Sequence, residues 1–250
     1  MDRIIESYCR EADSLLSGLP DDPAACFTGH RFLPRPDVPL LRALLRESIL
    51  EAYTLGFRTF YCGAALGFDL LAGQEVLALR PSCPGLRLAL VIPCEDQNRY
   101  WPEAESIAWR QLKQAADQVI VKSPVYYAGC MQVRNRYMVD HSRLCICYQE
   151  HFSGGAFSTV RYAQRNQVPV LNLSIPLMKI KAGLDPSSLQ FRETPSYGTV
   201  YSYSLLRPKM PLLRFRVLPG PAGRNGGLHH PCAAGGRAAF RSPSRTALQA

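Results

Sequence analysis

From Ala24 to Leu173 short apolar runs alternate with longer amphipathic segments. The runs 24–28, 59–62, 87–92, 118–122, 144–148 and 168–172 are rich in β-branched, aromatic and cysteine residues, and each is short enough to be a strand. Between them the period becomes helical over 38–55, 68–79, 103–116, 131–140 and 155–166. In 68–79, for example, Phe68, Leu71, Ala72, Val76 and Leu79 fall on one face. Strands alternating with helices predict a parallel sheet covered on both sides. With right-handed crossovers this gives an α/β fold, a three-layer Rossmann-like sandwich with a mostly parallel sheet.

Outside that block the pattern changes. Residues 2–18 predict a separate amphipathic helix, so 1–23 is read as a helix and linker. The extension 174–205 is interrupted by Pro176, Gly183, Pro186, Pro195 and Gly198 and has no clear period. From 206 to 250 Pro, Gly, Ala and Arg dominate, and this tail is expected to be disordered because it cannot offset its ordering entropy. It is read as an unselected extension, with a basic arm for nucleic acid as the alternative.

Charge supports that division. The chain of 250 residues has a formal net charge of +9, and residues 206–250 hold seven Arg and one Lys with no acid. The body is therefore close to neutral, which removes the case for nucleic-acid binding through a general positive field. No apolar run is long enough to span a bilayer, and Asp2, Arg3, Glu6, Arg10, Glu11 and Asp13 interrupt the N-terminus. A cytoplasmic chain without membrane contact is expected. The nine cysteines fit free thiols in a reducing compartment, with Cys26, Cys62, Cys94, Cys145 and Cys147 read as small buried hydrophobes.

Candidate chemistry lies where strands end and helices begin. In a parallel sheet these junctions share the carboxyl edge, and free amides at a helix N-terminus attract phosphate. Thr28, Gly29, His30 and Arg31 follow the first strand, and the planar fork of Arg31 suits a phosphate or carboxylate. Gly63, Ala64 and Gly67 form the second turn and lead to Asp69, whose carboxylate has three readings: helix-dipole partner, ribose ligand or acid–base group. Gln97, Arg99 and Trp101 follow the third strand as base contacts or loop anchors. Arg134 and Asn135 follow the fourth, and Gly154 and Gly155 the fifth. Neither a GxGxxG nor a Walker-type turn is present. His141, Cys145, Cys147 and His151 have metal-like spacing, but the two histidines flank opposite ends of a strand, ~20 Å apart at about 3.3 Å per residue, so no metal is expected.

Five segments in order, CFTGHR (26–31), CGAALGFD (62–69), IPC..Q...W (92–101), CM..RNRYMVD (130–140) and SGGAFSTVRYA (153–163), resemble the YpsA-like branch of the SLOG superfamily. That superfamily also holds the LOG phosphoribohydrolases, DNA-processing protein DprA and molybdenum-cofactor carrier-like proteins. The resemblance implies a Rossmann-like domain over 24–173 with a nucleotide pocket at the carboxyl edge. It implies that the 28–31 turn, the 63–69 turn, Arg134, Asn135, Gly154 and Gly155 line that pocket. Cys62 and Ala156 depart from the usual GGA and GGT. Phe157 and Arg161 stand where the phosphoribohydrolases have a glycine and a catalytic glutamate, which speaks against the same N-glycosidic hydrolysis. The expected function is binding of a nucleotide or derivative, ADP-ribose-like or a nucleoside phosphate, as a sensor or regulatory module. The alternatives are an enzyme acting at the ribose or phosphate, with Asp69, Glu95 or Asp96 as acid or base, and a DprA-like single-strand binder. No cofactor is expected, and a homo-oligomer stays open.

Overall fold

A computed structural model describes residues 22–183. The helix expected over 2–18, most of the 174–205 extension and the basic tail lie outside the described residues. The sheet has six strands, all parallel: β1 (Ala24–Gly29), β2 (Thr59–Cys62), β3 (Arg87–Ile92), β4 (Gln118–Val121), β5 (Leu144–Tyr148) and β6 (Val170–Asn172). The helices are α1 (Val38–Thr54), α2 (Phe68–Leu79), α3 (Glu103–Ala115), α4 (Cys130–Asp140), α5 (Gly154–Arg165) and α6 (Ser174–Lys181). Helix α6 regularises the start of the extension. Pro176 falls in its first turn, where a missing N–H leaves no helical bond unmade. Leu177 is buried, and Lys181 Nζ pairs with Asp37 at 2.9 Å.

Alternating side chains on each strand divide the interior in two. Ala25 and Phe27 of β1, Leu88, Leu90 and Ile92 of β3, and Ile146 and Tyr148 of β5 join the larger cluster, which takes in α1, α2, α3 and α6. Cys26, Val91, Cys145 and Cys147 point the other way, to Met138 and Val139 of α4 and Val160 and Ala163 of α5. Cysteines thus act as small apolar residues under the second helix layer. All seven cysteines among the described residues are buried and unbridged. Each large side chain fully buried here contributes about 1.5–3 kcal/mol.

Spatial order is β4-β3-β2-β1-β5-β6. The chain steps outward from β1 to β4, then returns past its starting strand to lay β5 on the other side of β1. Right-handed crossovers put helices on opposite faces for the two directions of travel. The direction reverses between β1 and β5, so the loops leaving these two strands diverge and open a crevice at the carboxyl edge. Gly29 pairs with Tyr148 in register, and His30 N donates to Tyr148 O at 3.2 Å, carrying the ladder to the crevice.

Candidate ligand site at the sheet switch point

The β2–α2 turn, which from sequence resembles a phosphate cradle, is filled by the protein itself. The Cys62 thiol donates to Asp69 O at 3.1 Å and accepts from Ala64 N at 3.4 Å, tying the two ends of the turn. Ala64 sits at φ +47°, a left-handed conformation that a side chain seldom adopts. From below, Gln97 Nε2 donates to Ala64 O at 2.8 Å, and the Arg134 guanidinium donates to Gly63 O. A Cβ on Gly63 would lie 1.9 Å from Arg134 Nη1, so only glycine admits the arginine. Gly67 (φ +76°) lies under the backbone of the β1–α1 loop, where a Cβ would be 2.3 Å from Arg31 O. Phe68 N is already bonded to His30 O at 3.1 Å.

Asp69 and Arg134 share this buried floor. Asp69 Oδ2 accepts from Ala65 N at 3.4 Å. Burial raises its carboxyl to about 6, while the cations of Arg134 and Arg31 pull the other way. Burial likewise lowers the Arg134 guanidinium, and Asp69 opposes that shift. Arg134, 4% exposed, is therefore a strut beneath the turn. Its neighbour Asn135 turns toward α5 and donates to Thr159 Oγ1 at 2.7 Å, so the adjacent pair serves two different places. Thr28 is buried within β1, and Gly29 gives way to Phe68, whose Cβ a Gly29 Cβ would meet at 2.5 Å.

The β5–α5 turn is open. Ser153 is extended, Gly154 has φ +85°, and a Cβ added to Gly154 or Gly155 would meet nothing within 4 Å. Both glycines are exposed at the start of a twelve-residue helix. Beside them His30 Nε2 accepts from Glu150 N at 2.7 Å, and the His30 ring lies 4.9 Å from that of His151. Burial first, then the neighbouring His151, lowers the His30 imidazole below its ordinary range, which keeps it neutral and accepting. His30, Glu150 and His151 bring ligand atoms within 4.8 Å of one another. Because His30 Nε2 already holds an amide proton, a cation there would have to displace that bond. Arg31 is exposed on the β1–α1 loop.

Of the expected residues, the structure brings Thr28, Gly29, Gly63, Ala64, Gly67, Asp69 and Arg134 together as the crevice floor. His30, Arg31, Gly154 and Gly155 stand at its open edge. Glu150 was not a candidate from sequence, and His151 was considered only as a metal ligand. Their signal is the β1–β5 pairing, which strand order alone supplies. A second unforeseen feature is the rim: Phe32, Tyr100, Tyr126, Tyr127 and Phe152 are exposed, and all lie on loops leaving the carboxyl ends of strands. Arg99 stacks over Tyr100 at 5.3 Å.

The sequence profile of the YspA SLOG family matches residues 33–177. The chain belongs to that family. It is 26% identical over 133 residues to a UPF0398 protein of Halalkalibacterium halodurans, covering 52% of this chain and 70% of the relative. It is 25% identical over 137 residues to the uncharacterized SPbeta prophage-derived protein YoqJ of Bacillus subtilis, covering 50% and 78%. Among solved structures, DNA processing protein A from Streptococcus pneumoniae matches with TM-score 0.47 and 17% identity, covering 72% of this chain and 64% of that one. The Helicobacter pylori protein of the same name, described for its single-stranded DNA binding mode, matches with TM-score 0.45 and 20% identity, covering 64% and 67%. No helix among the described residues is long and apolar enough to cross a membrane.

Proposed function

We propose that this chain binds a nucleotide or nucleotide derivative, ADP-ribose-like or a nucleoside phosphate, and acts as a sensor or regulatory module. The observation that carries this reading is the open Gly154–Gly155 turn at the β1/β5 switch point. There, free amides and the positive end of α5 meet an unobstructed approach. Arg31 on the facing loop supplies an exposed guanidinium, and rim aromatics such as Phe32 and Phe152 offer flat faces to a base. The setting of Asp69 supports the sensor reading over the enzyme. This carboxylate is buried, accepts from Ala65 N and lies in the field of the Arg134 cation, which suits a structural role better than proton transfer to a ligand.

The exposed aromatics with Arg31 and Arg99 favour a second reading, single-stranded nucleic acid laid across the rim, since stacking platforms with interleaved cations suit it. Thermal melting of the full chain with AMP, ADP, ADP-ribose and an oligothymidylate tests both. A ligand at a hundred times its Kd stabilises by about 2.7 kcal/mol. The first reading expects a raised Tm with a mononucleotide compound, reduced in Arg31→Ala. A rise with the oligonucleotide alone supports the second, and no rise with any probe rejects both.

A further inference from the structure

Helices α4 and α5 pack side by side on one face of the sheet, and a cavity of about 370 Å³ lies between them on the solvent side. That volume is in the range of small-ligand sites. Three guanidiniums line it, those of Arg136, Arg161 and Arg165. No carboxylate among the described residues does. Along both helices the only acid is Asp140, which accepts the Tyr162 hydroxyl at 2.8 Å. Neither Arg136 nor Arg165 forms an ion pair among the described residues; Arg136 instead lies 5.6 Å from the centroid of the Tyr162 ring. On a body whose charges otherwise nearly cancel, Arg136 and Arg165, converging on one concavity without ion pairs among the described residues, are a local excess.

Such a concavity disfavours cations and neutral compounds and attracts a ligand with several negative charges. Guanidinium forks on neighbouring helices match oxygens spread along a chain better than a single point charge. Gln132 and Asn135, on α4 with Arg136, add amide groups. We propose that the α4–α5 groove is a second ligand site that takes a small compound bearing a linear phosphate chain, separate from the crevice at the sheet edge.

Inorganic triphosphate is the probe. The full-length protein is treated with phenylglyoxal, which modifies accessible arginines, and each arginine's modification rate is read by peptide mass spectrometry. Triphosphate should slow modification of Arg136 and Arg165 at least tenfold, while exposed Arg110 on α3 is unaffected. Sodium chloride at matched ionic strength should protect neither. In Arg136→Gln/Arg165→Gln, protection of Arg161 should disappear while the melting temperature stays within a degree or two of the parent. Peptide-resolved readout separates this groove from the eight basic residues of 206–250. Equal protection at Arg110, protection by chloride, or protection of Arg161 undiminished in the double variant would each overturn the proposal. None of these outcomes bears on nucleotide binding at the crevice, which the same double variant should retain.

Discussion

Two glycine-bearing turns, each joining a strand to a helix at the same sheet edge, have opposite fates. At the β2–α2 turn every space a ligand would need holds a protein group: Arg134 under Gly63, Gln97 under Ala64, the β1–α1 backbone over Gly67. At the β5–α5 turn nothing lies within 4 Å of a Cβ built on either glycine. A glycine at such a turn marks either a left-handed backbone, as at Gly154, or room for a close approach, and sequence does not say whether what approaches is a ligand or the protein's own side chain. What separates the two turns is position. β2 lies between neighbours reached by crossovers of one direction, whereas β5 borders the strand where direction reverses.

Substitutions should report this contrast as stability on one side and ligand affinity on the other. Arg134→Ala should have the largest effect, a loss of about 3–5 kcal/mol in urea unfolding, because it leaves a cavity, takes the buried donor from Gly63 O and removes the cation that offsets the burial of Asp69. If the loss is under about 1 kcal/mol, the strut role is wrong. Next is pH. The folded Asp69 carboxyl is raised from its ordinary 3.8 to about 6, so between those values the native state binds the proton more tightly than the unfolded chain. Its contribution is therefore present in full below the lower value and is lost as pH rises to the upper. At 1.36 kcal/mol per pH unit the decline is about 3 kcal/mol. The difference in unfolding free energy between parent and Asp69→Asn should trace that decline from pH 4 to 6 and level above it; a flat difference would contradict it.

Gly63→Ala forces the guanidinium away and should cost about 1–3 kcal/mol, as overpacking does. Gly155→Ala, tested in the same denaturation series, should stay within about 0.5 kcal/mol of the parent or gain slightly from helix propensity. Reversed ranking of this glycine pair would mean that the closed and open turns have been interchanged.

Much of the fold was legible because periodicity reports burial directly. Strand runs such as 59–62 and 87–92 and helices such as 68–79 are observed with the expected limits. The Cys145–Cys147 pair points into the core beneath α4 and α5, as alternation requires. The start of the extension was not legible, because Pro176 looks like a breaker unless its place in the first turn of α6 is known. At the site, sequence singled out the right edge but could not rank the turns. Arg134 and Asn135 illustrate why. Adjacent on a helix, they diverge by about 100°, and only tertiary packing shows one going under Gly63 and the other to Thr159. His30 and His151, far apart in sequence, meet only because β5 returns beside β1.

Ligand binding at the switch point is tested by an amide-resolved NMR titration of the ¹⁵N-labelled full chain with AMP, ADP and ADP-ribose in turn. Binding at the switch point predicts that the amides of Gly154, Gly155 and Ala156 shift most, with His30 following. Those of Gly63 to Gly67 should move little, since that turn is closed. Largest shifts within 63–67, or no shift at 154–156 with any of the three compounds, would contradict the account.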